Sequence, residues 1–470
     1  MGESYEGQGH WWLPGREDKK VPGLLAFVPD TGGSLTLIGA LDHWTDYAEP
    51  QISENGTVRY DMTLDVQERS GTYPRIYGEV EGLFITLEDC FQTHVSGNMF
   101  GGSHRQVVSV NRVFKGVHFD EGEDPAANAL SVGVAYLDDW ALEQYIGETW
   151  TTGPDGKGVA RLELTVESSS ARVANIGNDT RMSLQRHIGI GGRRSTKRHL
   201  SQGYNLRIDA DAVTPIDDLI DIASDAQDLV SIATGRNAEF QTLSGYHPDL
   251  VRRRPKLHDE EAEDEGAPVP FEVIARWNIR DRAAKPDQIE PHDLYFTFED
   301  LGGMEGMAKW MKAAAEYRST LGRTMGTRAT ANMFVSDRLL NYVAAVEGFD
   351  RQKTGRDKDK LPTRLRRCAK LAGEPFAALV GHVNKWVDAV VDHRNDIAHH
   401  LGRRPRGSAT EQYYLSESAY WLAVYLMLRE ADVPQAVYDK MAEHQHFVYL
   451  SPKVKVVATS YKPVPSPGVN

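Results

Sequence analysis

The 470-residue sequence has only two cysteines, Cys90 and Cys368, far apart and without a CxxC pair. That excludes a disulfide scaffold and a cysteine-based zinc site, and it fits a reducing compartment. Positive charge is in deficit. There are 53 Lys and Arg against 67 Asp and Glu, a net charge of −14. No global basic field exists, so nucleic acid would have to be met by a local patch. No uncharged apolar stretch is long enough to cross a bilayer. The start, MGESYEGQGHWWLPGRED, has no basic segment followed by an apolar one, so no signal peptide is read, and the expected location is the cytoplasm, away from membranes. GxSxG, HExxH and paired Cys/His metal spacings are missing too, and no cofactor or metal is expected.

What is present is enough for a sizeable core: 40% hydrophobic and 26% charged residues, over a length that suits two or three domains. The first half reads as β-rich. Val21–Val28 and Ser34–Leu41 flank PDTGG as a hairpin, and Ile76–Val80, Gly82–Leu87, Val107–Phe114, Val132–Leu137, Leu162–Val166 and Tyr204–Ile208 are further strand candidates. A sandwich or open barrel follows from this. One helix interrupts it, opened by Thr214-Pro215 and closed by Gly235, with Asp217, Asp218, Asp221, Asp225 and Asp228 on an expected solvated face. The acidic run His258–Glu265, within 256–268, reads as a mobile loop. IGIGGRR (Ile188–Arg194) lacks a following GK[ST] and a βα unit. It reads as a flexible loop, and Arg186, His187, Arg193, Arg194, Lys197, Arg198 and His199 make a local basic patch around it.

From Gly306 the period becomes helical. Met307–Leu321, Ala331–Phe349, Pro375–Leu401, Glu411–Ala431 and a short segment after Pro434 predict an all-α bundle of four or five helices. The fold class is therefore α+β multidomain. A β-rich domain spans 1–300, a helical bundle 301–450, and a poorly ordered tail 451–470.

The bundle holds the most informative segment, VVDHRNDIAHHLGR (Val390–Arg403). At about 100° per residue, Val387, Val390, Val391, Ile397, Ala398 and Leu401 all fall within about 60° of Arg394. Arg394 thus projects from the middle of an apolar stripe. A guanidinium cannot shed its charge there, so it must meet a carboxylate, an interface or a ligand anion. Asn395 and His399 share one flank of the stripe. Three chemistries compete. Arg394 is a structural residue paired with a carboxylate such as Glu347. Or His393, Asp396 and His400 begin a metal site that still needs a ligand. Or Arg394 and His399 form a phosphodiester-cleaving pocket, the Arg gripping phosphate oxygens and the His moving the proton.

Arg394-Asn395-Asp396-Ile397-Ala398-His399 has the form R-N-x-x-x-H, which resembles the Rx4–6H signature of HEPN domains, all-α bundles found in many RNases. WWLPG (Trp11–Gly15), PGLLAFVPDTGGSLTLIG (Pro22–Gly39), IYGEVEGLFITLEDC (Ile76–Cys90), KGVHF (Lys115–Phe119) and YLDDW (Tyr136–Trp140) resemble the N-terminal domain of ApeA-like proteins, which join such a domain to a C-terminal HEPN domain in bacterial anti-phage defence. The resemblance implies a metal-independent endoribonuclease of the abortive-infection type, leaving 2′,3′-cyclic phosphate and 5′-OH ends. It implies His399 as general acid or base, Arg394 on the scissile phosphate and Asn395 orienting the two. It implies a homodimer or higher homo-oligomer built through the HEPN domain, RNA as substrate with tRNA among the candidates, and a phage-derived trigger sensed by the β-rich half.

Arg364, Arg366, Arg367 and Lys370 before the motif, and Arg403 and Arg404 after it, are the expected tracks for an RNA backbone. Tyr413 and Tyr414 are candidates to stack a base. The alternative is a non-catalytic HEPN protein that binds RNA or nucleotide, or merely dimerises.

Overall fold

The computed structural model describes residues 5–28, 32–42, 46, 48–61, 63, 70–96, 105–141, 146–153, 158–166, 170–193, 196–252, 266–275, 289–399 and 408–461. The chain divides into two compact units, neither contiguous in sequence. One comprises 1–135, 207–220 and 239–287; the other comprises 136–206, 221–238 and 288–470. The expected boundary at 300 is therefore replaced by an interleaved division.

The first unit is built on β1 (Tyr5–Trp12), β2 (Val21–Val28), β3 (Gly32–Ile38), a small hairpin β4 (Pro50–Ile52) and β5 (Val58–Tyr60), β6 (Thr72–Val80), β7 (Leu83–Ser96), β8 (Arg105–Val110), β9 (Arg112–Lys115) and β10 (Ala126–Val134). Six of these close into an antiparallel barrel in the order β7-β6-β1-β2-β3-β8 and back to β7. Alternation drives the closure: Leu25, Phe27, Leu35 and Leu37 all point inward and are buried, with polar or small residues between them.

β7 has 14 residues and, on the edge away from β6, serves two partners. Its first half pairs with β9, and its second half with β8. The switch falls at Asp89, whose φ of 51° bends the strand, and Asn111 Nδ2 donates to the Asp89 carbonyl at 3.0 Å. Trp11 fills the barrel beside Gly78, its register partner in β6, where a Cβ would strike the indole. Beyond β9 the sheet continues through β17 (Ala267–Ala275) and β16 (Phe240–Arg252) to β10. The β-rich first half is thus borne out, and the barrel is closed by β7.

The second unit holds α1 (Leu137–Ala141), a hairpin β11 (Ile146–Thr152) and β12 (Val159–Val166), β13 (Arg172–Gly177), β14 (Thr180–Gly191) and the start of β15 (His199–Pro215). The segment IGIGGRR is a loop only in part: Ile188–Gly191 is the end of β14, Gly192 and Arg193 lie past the strand, and Arg194 is outside the described residues. Helix α2 (Ile216–Thr234) follows. Its acidic face is not simply solvated, since Asp225 is buried and bonds Arg318 at 2.7 Å, and Arg318 also bonds Asp221 at 2.9 Å.

The C-terminal region is all helical: α3 (Gly303–Glu316), α4 (Arg318–Ala329), α5 (Val335–Thr354), α6 (Leu361–Ala372), α7 (Glu374–Val380), α8 (Val383–His399), α9 (Ala409–Glu430), α10 (Gln435–Glu443) and α11 (Gln445–Ser460). Glycines make the extra breaks. Gly355, Gly373 and Gly381 end α5, α6 and α7 with positive φ, and prolines open α6 and α7. Helix α9 is buried from Leu415 to Leu428 and forms the centre of the bundle; a Ser408–Glu411 capping box starts it. The expected tail begins too early, because α11 runs to Ser460 with Pro452 inside it. The acidic run 258–265, Leu401 and residues 462–470 lie outside the described residues. Among the described residues no helix is long and apolar enough to cross a membrane.

Candidate active site

Helix α8 carries the motif on its last two turns. Trp386, Val387, Ala389 and Val390 are fully buried, so the first half of the stripe packs into the bundle. The stripe then emerges. Arg394 and Ile397 are half-buried and Ala398 is exposed. The buried position in this turn belongs to His393, not to Arg394. Its Nδ1 donates to the Ala389 carbonyl at 2.8 Å, which fixes the tautomer, and its Nε2 is buried without a partner.

Arg394 Nη1 donates to Asn395 Oδ1 at 3.2 Å. This leaves most of the guanidinium's five donors for something else. Glu347, the expected carboxylate partner of Arg394, instead accepts from Arg351 at 2.7 Å, with Arg364 Nε at 3.8 Å. Asp392, two residues before Arg394, accepts from the Tyr461 hydroxyl at the end of α11. His399 is the last helical residue of α8. It follows Asn395 by four residues, which puts both on one helical face. His400, Arg403 and Arg404 lie outside the described residues, and no group of three or more His, Cys, Asp or Glu among those described is placed to hold a metal ion.

The basic helix α6 departs from its expected role. Arg364 is wholly buried and donates to the carbonyls of Asp359 (2.9 Å), Arg356 (2.7 Å) and Asp357 (2.9 Å) and to Asp350 Oδ2 (3.2 Å). It is a core residue and cannot touch RNA. Arg367 bonds Asp350 and Asp359, Arg366 bonds Asn384 and Asp388, and only Lys370 of the four is exposed without an ion pair among the described residues. Asp350, 2% exposed, is therefore a hub that anchors the connector after α5. A buried hub was not visible in a run of alternating charges; the signal was Asp350 falling on the apolar side of α5. Burial, then the Asp350 carboxylate, push the Cys368 thiol well above its ordinary range, so it is unreactive. Tyr413 is exposed beside Tyr414, their rings 5.4 Å apart.

A second buried pair lies under α9. Glu417 accepts from Arg328 at 2.7 Å, its Oε2 has no partner, and the Arg328 guanidinium covers the Tyr420 ring. In the barrel unit a cavity of about 1040 Å³ is rimmed by Arg16, Arg75, Glu88, Arg112, Glu121 and Asp217. Arg75 bonds Glu88 at 2.6 Å and holds the 119–123 loop through three carbonyls. Burial raises Glu88 and Arg75 pulls it back down.

A closed six-stranded barrel with added strands, in one chain with a helical bundle that presents R-N-x-x-x-H at a helix end, defines a two-unit protein with a polar site on its bundle. The chain belongs to the ApeA family: the family described as ApeA N-terminal domain 1 matches residues 6–310. That supports a place among ApeA-like anti-phage defence proteins. No curated protein and no solved structure matches the chain.

Proposed function

We propose that this protein is a HEPN-type, metal-independent endoribonuclease of a bacterial anti-phage system. The observation that carries the reading is Arg394: a cation on an apolar stripe, half-buried, with Asn395 as its one hydrogen-bonded neighbour among the described residues, on the last turns of a helix that ends at His399. A guanidinium so placed is preorganised for an anion. The ribose 2′-oxygen attacks the adjacent phosphorus as the bond to the 5′-oxygen breaks. One base takes the 2′-OH proton and one acid supplies a proton to the 5′-oxygen. His399 fills one of these roles and the same residue of a second copy fills the other. Arg394 neutralises the charge that builds on the phosphoryl oxygens, and Asn395 keeps the guanidinium aimed. The stripe that emerges at Arg394 and Ile397 supplies the contact between copies.

The test is cleavage of RNA by purified protein in EDTA, wild type beside Arg394→Ala and His399→Ala, with the product ends identified. Each substitution is expected to lower the rate by 10² to 10⁴, with cyclic phosphate on the wild-type products. Cleavage that survives both, in folded variants, refutes the proposed site; cleavage abolished by EDTA refutes the metal-free chemistry.

A further inference from the structure

Several of the bundle's cations are held in ion pairs. Arg318, Arg328, Arg351, Lys353, Arg364, Arg366 and Arg367 each face a carboxylate within 4 Å. The β14–β15 ribbon is rich in cations, of which Arg207 pairs with Asp209, and Arg181 and Arg186 are also engaged. From Thr180 to Ile208 the sequence has seven Lys and Arg and no Asp or Glu, in a chain of net charge −14. β13 covers β14 only as far as Leu184, so the ribbon's far end, from Gln185 on, has no strand from β13 beside it.

The amides of Thr196 and Lys197 donate to the Arg193 carbonyl at 3.1 and 2.9 Å, and Gly192 has a φ of 90° where a side chain would strike the Lys197 carbonyl. Arg193 and Lys197 are thereby brought one turn apart, with Arg198 next. All three are exposed, and none forms an ion pair among the described residues.

One face of the ribbon is made of glycines opposed by side chains. A methyl group at Gly191 would collide with the His199 imidazole, one at Gly189 with the Ser201 hydroxyl, and one at Gly203 with the His187 ring. The glycines let these groups lie low across the strand pair. His199, the first residue of β15 and next in sequence after Arg198, is exposed like the three cations. His187 is the base end of this row, close to the Asp138 carboxylate, which bonds the Tyr204 amide at 2.6 Å. Negative charge there confines an anion to the tip. Cations spaced along a turn beside an open ring suit a single-stranded nucleic acid, with phosphates on the cations and a base on the ring.

We infer that the tip of the β14–β15 ribbon, through Arg193, Lys197, Arg198 and His199, is a binding site for the backbone of single-stranded RNA. The inference rests on the nuclease reading for its ligand class and assigns the substrate contact to an element away from the α8 motif. It replaces the α6 track, whose three arginines are bonded internally.

The experiment uses full-length His399→Ala protein, which does not consume its ligand, and a fluorescein-labelled single-stranded RNA read by anisotropy across a salt series. Adding Arg193→Gln, Lys197→Gln and Arg198→Gln together is expected to weaken binding at least tenfold at low salt. It should also flatten the log affinity–log salt slope by about 2, at roughly 0.7 per phosphate contact. His199→Ala/His399→Ala should bind more weakly with its slope unchanged. Arg161→Gln, on the β11–β12 hairpin, is the control for lost charge, and thermal unfolding checks that the tip variants are intact. Unchanged affinity and slope in the triple variant overturn the inference and leave the nuclease reading standing. So does an altered oligomeric state with unchanged RNA affinity, which assigns the tip to protein contact. RNA binding that depends on the tip in a protein that never cleaves supports the inference and sinks the nuclease. A parent that binds no RNA overturns the inference outright.

Discussion

Asp350→Ala is the sharpest test of the reassignment of helix α6. The carboxylate of Asp350 accepts from Arg364 Nη1 at 3.2 Å and from Arg367 Nε and Nη2 at 2.7 and 2.5 Å. Arg364 is 0% exposed, so once Asp350 is gone a whole positive charge is left in the bundle with three carbonyls and Glu347 at 3.8 Å. Removing one member of a buried pair costs about 3–5 kcal/mol, and the surviving acceptors place this case near 3. At roughly 2–4 °C per kcal/mol, the unfolding midpoint should fall by about 6–12 °C. The internal comparison is Asp388→Ala, which breaks the exposed Arg366–Asp388 pair and should cost under about 1 kcal/mol. Urea unfolding of both variants gives the difference. Arg364→Met together with Asp350→Leu should be less damaging than the sum of the single changes, because no orphan charge remains. If Asp350→Ala costs less than about 1 kcal/mol, or if Arg364→Met weakens RNA binding in a protein of unchanged stability, Arg364 is not the core residue described above.

One buried and one half-buried titrating group of the helical unit predict opposite pH trends. Burial pushes Asp225 up to about 6 against the pull of Arg318, so its contribution to stability is full below about 4 and is lost as pH rises through 6. Burial, then the Arg328 charge, lower His446 to about 4, so its contribution is full above about 6.5 and is lost as pH falls through 4. Relative to wild type, Asp225→Asn should gain stability as pH climbs from 4 to 6, by up to about 3 kcal/mol, and His446→Gln should gain, by less, as pH falls from 6.5 to 4; denaturant titrations at four pH values read both. Gly78→Ala drives a methyl into Trp11 and should cost about 1–3 kcal/mol, with a shift in tryptophan emission as the second readout. Ser408→Ala removes the side-chain acceptor for the Glu411 amide and should cost about 1 kcal/mol in thermal unfolding.

The large division of the fold was legible because period does not depend on context. The two-residue alternation of Leu25, Phe27, Leu35 and Leu37 and the helical spacing from Gly306 onward each state their own geometry. Helix α6 was missed inside LPTRLRRCAKLAG, where a high charge density hid a face formed by Leu365, Cys368, Ala369 and Ala372. The turn from Arg394 to His399 was legible as chemistry because a charged residue broke an apolar stripe. Where the stripe leaves the core was not, since that depends on how far neighbouring helices extend. Pairing of charges across elements, as in Asp350 with Arg364 and Arg367, or Asp225 with Arg318, is a three-dimensional fact that no local window contains. The same limit made IGIGGRR look like a loop: its strand partner lies in the following segment, and only the register with Ser201 and His199 shows why the glycines are there.

The interleaved division has a consequence for synthesis and inheritance. Residues 207–220 and 239–287 complete the barrel unit, but they are translated only after 136–206, which belong to the other unit. The six strands that close the barrel are all translated within residues 5–110, but the rest of that unit follows only after the other unit has begun. No single cut in the gene yields either unit whole. Neither unit can be exchanged alone between relatives by recombination at a single point.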